Sequence, residues 1–141
     1  MSKINDRAAE ILVTSPAVHL ATLMATSGHP KVDPVWVDVE GDYILVATDE
    51  GTIKAQNIAA DARVALSATA TDDPYEQVLI RGRVVQVRDD NDLEMLDRLS
   101  VRHLGRPFPR RKWGTRIALV VKPTLVRHYR SPLSDLAGDA E

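Results

Sequence analysis

The stretch from Tyr43 to Leu66, YILVATDEGTIKAQNIAADARVAL, changes backbone type twice within a short distance, and that brevity limits the folds open to the chain. Tyr43, Ile44, Leu45 and Val46 form a β-branched and aromatic run of the kind strands prefer. Asp49, Glu50 and Gly51 are turn residues. Thr52 can cap a helix that starts at once and carries Ile53, Ala55, Ile58 and Ala59 at its apolar positions. Asp61 breaks that helix, and Arg63 to Leu66 begins another strand. Strands that do not alternate with long helices argue against a parallel sheet and for a barrel.

The same stretch holds the clearest chemical signal. The first turn of a helix presents backbone N–H groups with no intrahelical acceptor. Here they stand beside the Thr52 hydroxyl and the Lys54 ammonium. Helix dipole and fixed charge then act together on an anion, usually a phosphate. Asn57, three residues after Lys54, is expected on the same helix face.

The remaining segments read as follows. Ile4, Ala8, Ile11 and Leu12 recur at helical spacing, which predicts an N-terminal helix over about Asn5–Thr14. Val18–Met24 and Lys31–Val39 form a hairpin around Ser27-Gly28-His29-Pro30. Pro34 cannot donate to a ladder and marks an edge, a bulge or a ligand-facing break. Thr71 to Tyr75 reads as a loop, and Gln77–Arg88 as a long strand with Gly82 at a bulge or barrel corner. Asn91 and Glu94 have the spacing of a capping box, opening a helix that ends near Gly105. Thr115–Lys122 and Thr124–Tyr129 are the last strands, parted by Pro123, and the tail 131–141 is expected to fray. The sum is one domain over 1–141, six or seven strands with three short helices.

Composition removes several classes. A net charge of -2 gives no reason to expect a nucleic-acid partner. The absence of cysteine excludes disulfides, thiolate metal sites and a catalytic thiol. His19, His29, His103 and His128 show no metal-ligand spacing, and no Ser-His-Asp set can be argued. No segment approaches membrane-spanning length and the N-terminus has no cleavage signal, so a cytoplasmic protein is expected.

A strand ending in a small polar residue, then Thr52-x-Lys54-x-x-Asn57, then Arg63-Val-Ala-Leu66, resembles the pyridoxamine-phosphate-oxidase-like split barrels. More closely it resembles their actinobacterial branch that uses the deazaflavin coenzyme F420. His19-Leu-Ala-Thr-Leu23 with Gly28-x-Pro30, Gly82-x-Val84 and Gly114-x-Arg116-Ile117 fit that pattern in order and spacing. The resemblance implies a mainly β fold with short helices, a split β-barrel that pairs as a homodimer with the cofactor in the groove between subunits. It lays Pro34, Val35, Trp36 and Val37 along the ring and puts Thr48, Thr52, Ile53, Lys54 and Asn57 on the phosphate side; Tyr75 and Trp113 complete the cofactor-binding set.

The function so implied is hydride transfer from reduced coenzyme F420 to a small unsaturated or conjugated substrate, with few or no side chains acting as strict acid or base. Flavin mononucleotide (FMN) is the alternative cofactor, and a non-catalytic flavin- or tetrapyrrole-binding protein the alternative role. The FMN oxidases carry a further basic residue on the second strand, where this chain has Asp33 and Pro34, with Lys31 as a possible substitute. The basic run Arg106, Arg110, Arg111 and Lys112, interleaved with Phe108 and Trp113, fits a solvated loop, RNA, or the polyglutamate tail of coenzyme F420.

Overall fold

The computed structural model describes residues 2–109 and 114–139. Seven strands run β1 Val18–Leu23, β2 Pro30–Val35, β3 Val37–Glu40, β4 Tyr43–Asp49, β5 Arg63–Ala70, β6 Asp73–Asp89 and β7 Arg116–Arg130. The helices are α1 Asp6–Thr14, α2 Ile53–Ala60, α3 Glu94–Leu104 and α4 Leu133–Asp139. All strands join one antiparallel sheet in the order β2-β1-β5-β6-β7-β4-β3.

The two ends of that order are β2 and β3, which are separated in the chain by Trp36 alone. One residue cannot span a flat sheet, so the sheet curls until its edges meet, and a barrel results. The Lys31–Val39 segment is therefore two strands rather than one. The break falls at Trp36 because β2 pairs with β1 while β3 pairs with β4. Pro30 and Pro34 sit in β2, where an edge strand tolerates their missing donors.

Alternating residues fill the interior. Val64, Leu66 and Ala68 from β5, Val78 and Ile80 from β6, and Leu119 and Val121 from β7 point inward with Ile44 and Val46. Helix α1 adds Ala8, Ile11 and Leu12 to this core, all at most 1% exposed. Each buried Ile or Leu stabilises the fold by about 1.5–3 kcal/mol. The Asn5 side chain accepts the Ala8 N–H at 2.8 Å, so the start of α1 agrees with its sequence signal. Helix α3 covers the outer face of β4 and β7, setting Met95 and Leu99 against Leu45, Ala118 and Val120.

Three further readings change. Tyr75 belongs to β6, leaving only Thr71 and Asp72 between β5 and β6. The last two strands are one, β7, with Pro123 inside it and opposite Gly82. A Cβ on Gly82 would lie 2.6 Å from the Lys122 carbonyl oxygen, so the bulge absorbs the proline only because Gly82 has no side chain. The capping box does not form: Leu93 opens α3 in the left-handed region (φ 63°), and the Asp90 carboxylate accepts the Met95 and Leu96 amides at 2.9 and 3.1 Å. Within the tail, Leu133–Asp139 forms α4, and the Ser131 N–H donates to the Tyr75 carbonyl at 3.0 Å.

Helix α1 is also tied by charge. The Glu76 carboxylate, nearly buried on β6, receives the Arg7 guanidinium through two nitrogens and His128 Nε2 at 2.7 Å. Bonding by Arg7 first, then His128, holds its pKa down at about 2. A depressed carboxylate stabilises the fold above its unfolded pKa and loses that contribution as the pH falls toward the folded value. Arg7→Ala is thus expected to lower the urea midpoint near neutral pH, and the deficit should close as the pH falls from about 4.5 to about 2. A deficit of constant size across that range would exclude this coupling.

Candidate functional site

The turn between β4 and α2 is held by its own hydrogen bonds. Asp49 O accepts both the N–H and the hydroxyl of Thr52, at 3.2 and 2.8 Å, and Asp49 Oδ1 accepts the Gly51 N–H at 2.7 Å. Thr52 caps α2 by accepting the Ala55 N–H at 3.3 Å, and its hydroxyl lies 3.2 Å from that of Thr48. The Glu50 N–H donates to Thr115 O at 2.9 Å, which fixes the turn to the start of β7. These bonds aim the opening turn of α2 at a cavity of about 370 Å³, within the range of small-ligand pockets.

Three regions supply its walls. Pro34, Val35 and Trp36 come from the crossing between the two sheet edges. Thr48, Asp49, Thr52 and Lys54 come from β4 and α2. Leu96, Phe108 and Arg116 come from α3, the segment after it and β7, and Pro16 adds to the lining from the segment before β1. Trp36 meets Phe108 edge-on at 6.3 Å between ring centroids, and its other neighbour, His103, stacks at 5.2 Å. The Arg116 guanidinium lies 5.0 Å from the Phe108 ring centre. Burial, partly offset by Asp49 and Asp90, lowers the Arg116 pKa; burial and then Arg102 lower that of His103, which favours a neutral imidazole. Among its described walls the cavity therefore has a cationic end, an aromatic wall and one acid, Asp49.

Of the residues expected at a cofactor, the structure gathers Pro34, Val35, Trp36, Thr48, Thr52 and Lys54. Val37 points into the barrel core and is fully buried. Ile53 is half exposed and does not line the cavity. Tyr75 lies elsewhere on β6, 41% exposed. Trp113, with Arg110, Arg111 and Lys112, falls outside the described residues.

Asn57 requires a correction. It is 1% exposed, and its side chain accepts the Ala25 N–H at 3.0 Å while donating to Thr22 Oγ1 at 3.1 Å. It braces α2 against the end of β1 instead of sharing the open face of Lys54. Asn57→Ala should cost about 1–3 kcal/mol in urea unfolding, since the Ala25 amide and Thr22 hydroxyl lose their partner. An unchanged midpoint would remove the bracing role.

Sequence reading missed Leu96, Phe108, Arg116 and Asp49 as walls. Phe108 and Arg116 were visible in the basic run and the Gly114-x-Arg116 motif, but only tertiary folding brings them to α2. Two larger hollows exist: about 560 Å³ beside Arg63, Arg81 and Arg83, and about 660 Å³ between α2 and the end of β6. Neither is lined by Thr52 or Lys54 from the opening turn of α2. Among the described residues no group of three or more His, Asp or Glu could hold a metal, and no helix is long and apolar enough to cross a membrane.

Gly114 lies against the Asp49 side chain. Its φ is +68°, and a Cβ there would collide with the Asp49 carboxylate. Gly114→Ala should destabilise the protein by about 1–3 kcal/mol. Asp49→Ala in the same chain should recover part of that loss by removing the clash. Additive melting shifts of the two substitutions would rule out the contact.

A family model described as pyridoxamine 5'-phosphate oxidase matches residues 4–130. A solved structure named F420 reductase is 29% identical, with a TM-score of 0.73, and the match covers 84% of this chain and 94% of that one. The conserved hypothetical protein Rv2991 from Mycobacterium tuberculosis, 20% identical, shares the fold with a TM-score of 0.70 over 92% of this chain and 85% of its own. No protein of curated annotation matches the chain in sequence.

Proposed function

The chain belongs to the pyridoxamine 5'-phosphate oxidase family, and from that premise we propose that it is a coenzyme F420-dependent reductase acting on a small unsaturated or conjugated substrate. The observation that carries the reading is that Thr52 and Lys54, at the start of α2, open onto the same cavity as Trp36 and Phe108. The cationic end suits a phosphate, and the aromatic wall suits a flat ring. When bound, the deazaflavin supplies the hydride. The protein's part is to seat the phosphate at Lys54, orient the ring beside Trp36 and keep bulk water from the reacting face, with solvent or a nearby hydroxyl as proton source.

Two observations favour the deazaflavin over FMN. The structure named F420 reductase is 29% identical to this chain over 84% of its length. Lys31, the candidate substitute for the missing second-strand base, is ion-paired to Asp33 and does not line the cavity. A homodimer belongs to this reading. Val32, Tyr75 and Tyr129 are exposed apolar residues that a second copy would cover.

Fluorescence titration with coenzyme F420 tests the cofactor, and light scattering tests the dimer. Binding is expected, with Lys54→Gln weakening it about tenfold to a hundredfold through loss of a charge-assisted hydrogen bond. No binding at roughly tens of micromolar cofactor ends the reading. A yellow protein on purification would transfer it to FMN, and binding without turnover on quinone, enone or tetrapyrrole acceptors would make the protein a carrier.

A further inference from the structure

Three cations stand side by side across β5, β6 and β7. Arg63 is opposite Arg83, and Arg83 is opposite Lys122. All three are exposed, on the outward face of the sheet. Like charges directly opposite one another in an antiparallel sheet are destabilising. With a net charge of -2 the chain has no general excess of cations, so the row is a local arrangement. Asp61 is the acid beside it, and its carboxylate is committed to Arg63 through hydrogen bonds of 3.1, 3.2 and 2.7 Å. Arg81 adds a further exposed cation on the same face, about 7 Å along β6 from Arg83. Local arrangements that cost stability are expected where a fold serves a ligand.

The row borders the hollow of about 560 Å³, a volume within the range of small-ligand pockets. Ala21 and Ala65 are opposite one another on β1 and β5, and Ala65 is opposite Arg81. Both alanines alternate with buried neighbours, Leu20 and Thr22 on β1 and Val64 and Leu66 on β5, so they face outward. Their short side chains lie among the longer Leu23, Arg63, Arg81 and Arg83, which line the same hollow. No carboxylate is among the described residues that line it. A second copy laid over this face by a two-fold axis would set the row against its own image, so the charge pattern calls for an anion. We propose that this hollow is a second ligand site, taking a compact organic molecule whose apolar body rests on Ala21 and Ala65 and whose carboxylate, sulfonate or phosphate is held by Arg81 and the Arg63–Arg83–Lys122 row. It shares no lining residue with the cavity at Lys54, and so goes beyond the reductase reading.

Isothermal titration calorimetry on the full chain without cofactor tests it, with three probes. Naphthalene-1-sulfonate has both the charge and the body, naphthalene-1-sulfonamide has the body alone, and methanesulfonate has the charge alone. The first should bind with a dissociation constant below about 1 mM, and each of the others about tenfold more weakly or worse. Substituting Arg81→Gln and Arg83→Gln together should weaken the naphthalenesulfonate about tenfold or more and leave the sulfonamide unchanged. Because the row is strained, Arg83→Gln alone should raise the melting temperature of the ligand-free protein at low salt by about 1–4 °C. No binding of the naphthalenesulfonate at roughly millimolar concentration overturns the proposal, as does equal binding of it and either comparison compound. Naphthalenesulfonate binding that survives in the double variant, or a melting temperature lowered by Arg83→Gln, overturns it equally. If near-ultraviolet circular dichroism shows the double variant to be unfolded, Arg81→Gln decides, and undiminished binding there overturns the site.

Discussion

A sheet whose two outermost strands are joined by a single residue has no flat conformation available to it. Trp36 is that residue, and closure of the barrel follows from the length of one peptide unit more than from any particular side-chain contact. The crossing also places Pro34, Val35 and Trp36 against the turn that begins α2. The cavity is thus a by-product of closure: where the edges meet, the ladder is interrupted and a hollow remains. A ligand site at such a seam needs no separate scaffold, since the strands that form its walls are held by the core on their other face.

The elements around the seam are braced from two directions. The α2 turn is fixed by the Asp49 and Thr52 bonds and by the Glu50–Thr115 link to β7. From below, Asn57 fastens the helix to the chain after β1. On the opposite side of the cavity, Asp38 on β3 receives Arg98 and Arg102 from α3, at 2.9 and 3.4 Å. These exposed ion pairs are individually weak. Their use is directional, since they hold α3, and with it Leu96 and the approach to Phe108, over β4.

Local chemistry was legible where a short run of residues decides the outcome. Thr52 as a cap, Asn5 as a cap and Gly82 as a bulge depend on neighbours in the chain or on one missing side chain, and the structure places them so. What could not be read depends on partners distant in sequence. Alternation through Lys31–Val39 looks the same whether the strand stays with one neighbour or changes to another, so the break at Trp36 was invisible. Asn57 has a helical spacing compatible with solvent, and only the end of β1 shows where its amide goes. Arg116 looks like any polar residue opening a strand until Phe108 lies against it and it is buried. The expected capping box failed because Asp90, one residue earlier, reaches the α3 amides first.

The pairing of Gly82 with Pro123 has an implication for how the longest two strands can change over time. The proline removes a donor from the middle of the ladder, and the glycine leaves the space that lets the backbones adjust around it. Any side chain at the first position meets the main chain at Lys122, while an ordinary residue at the second leaves the kink without a cause. The two positions therefore act as one mechanical unit, since a side chain at the first would have to displace the main chain at the second.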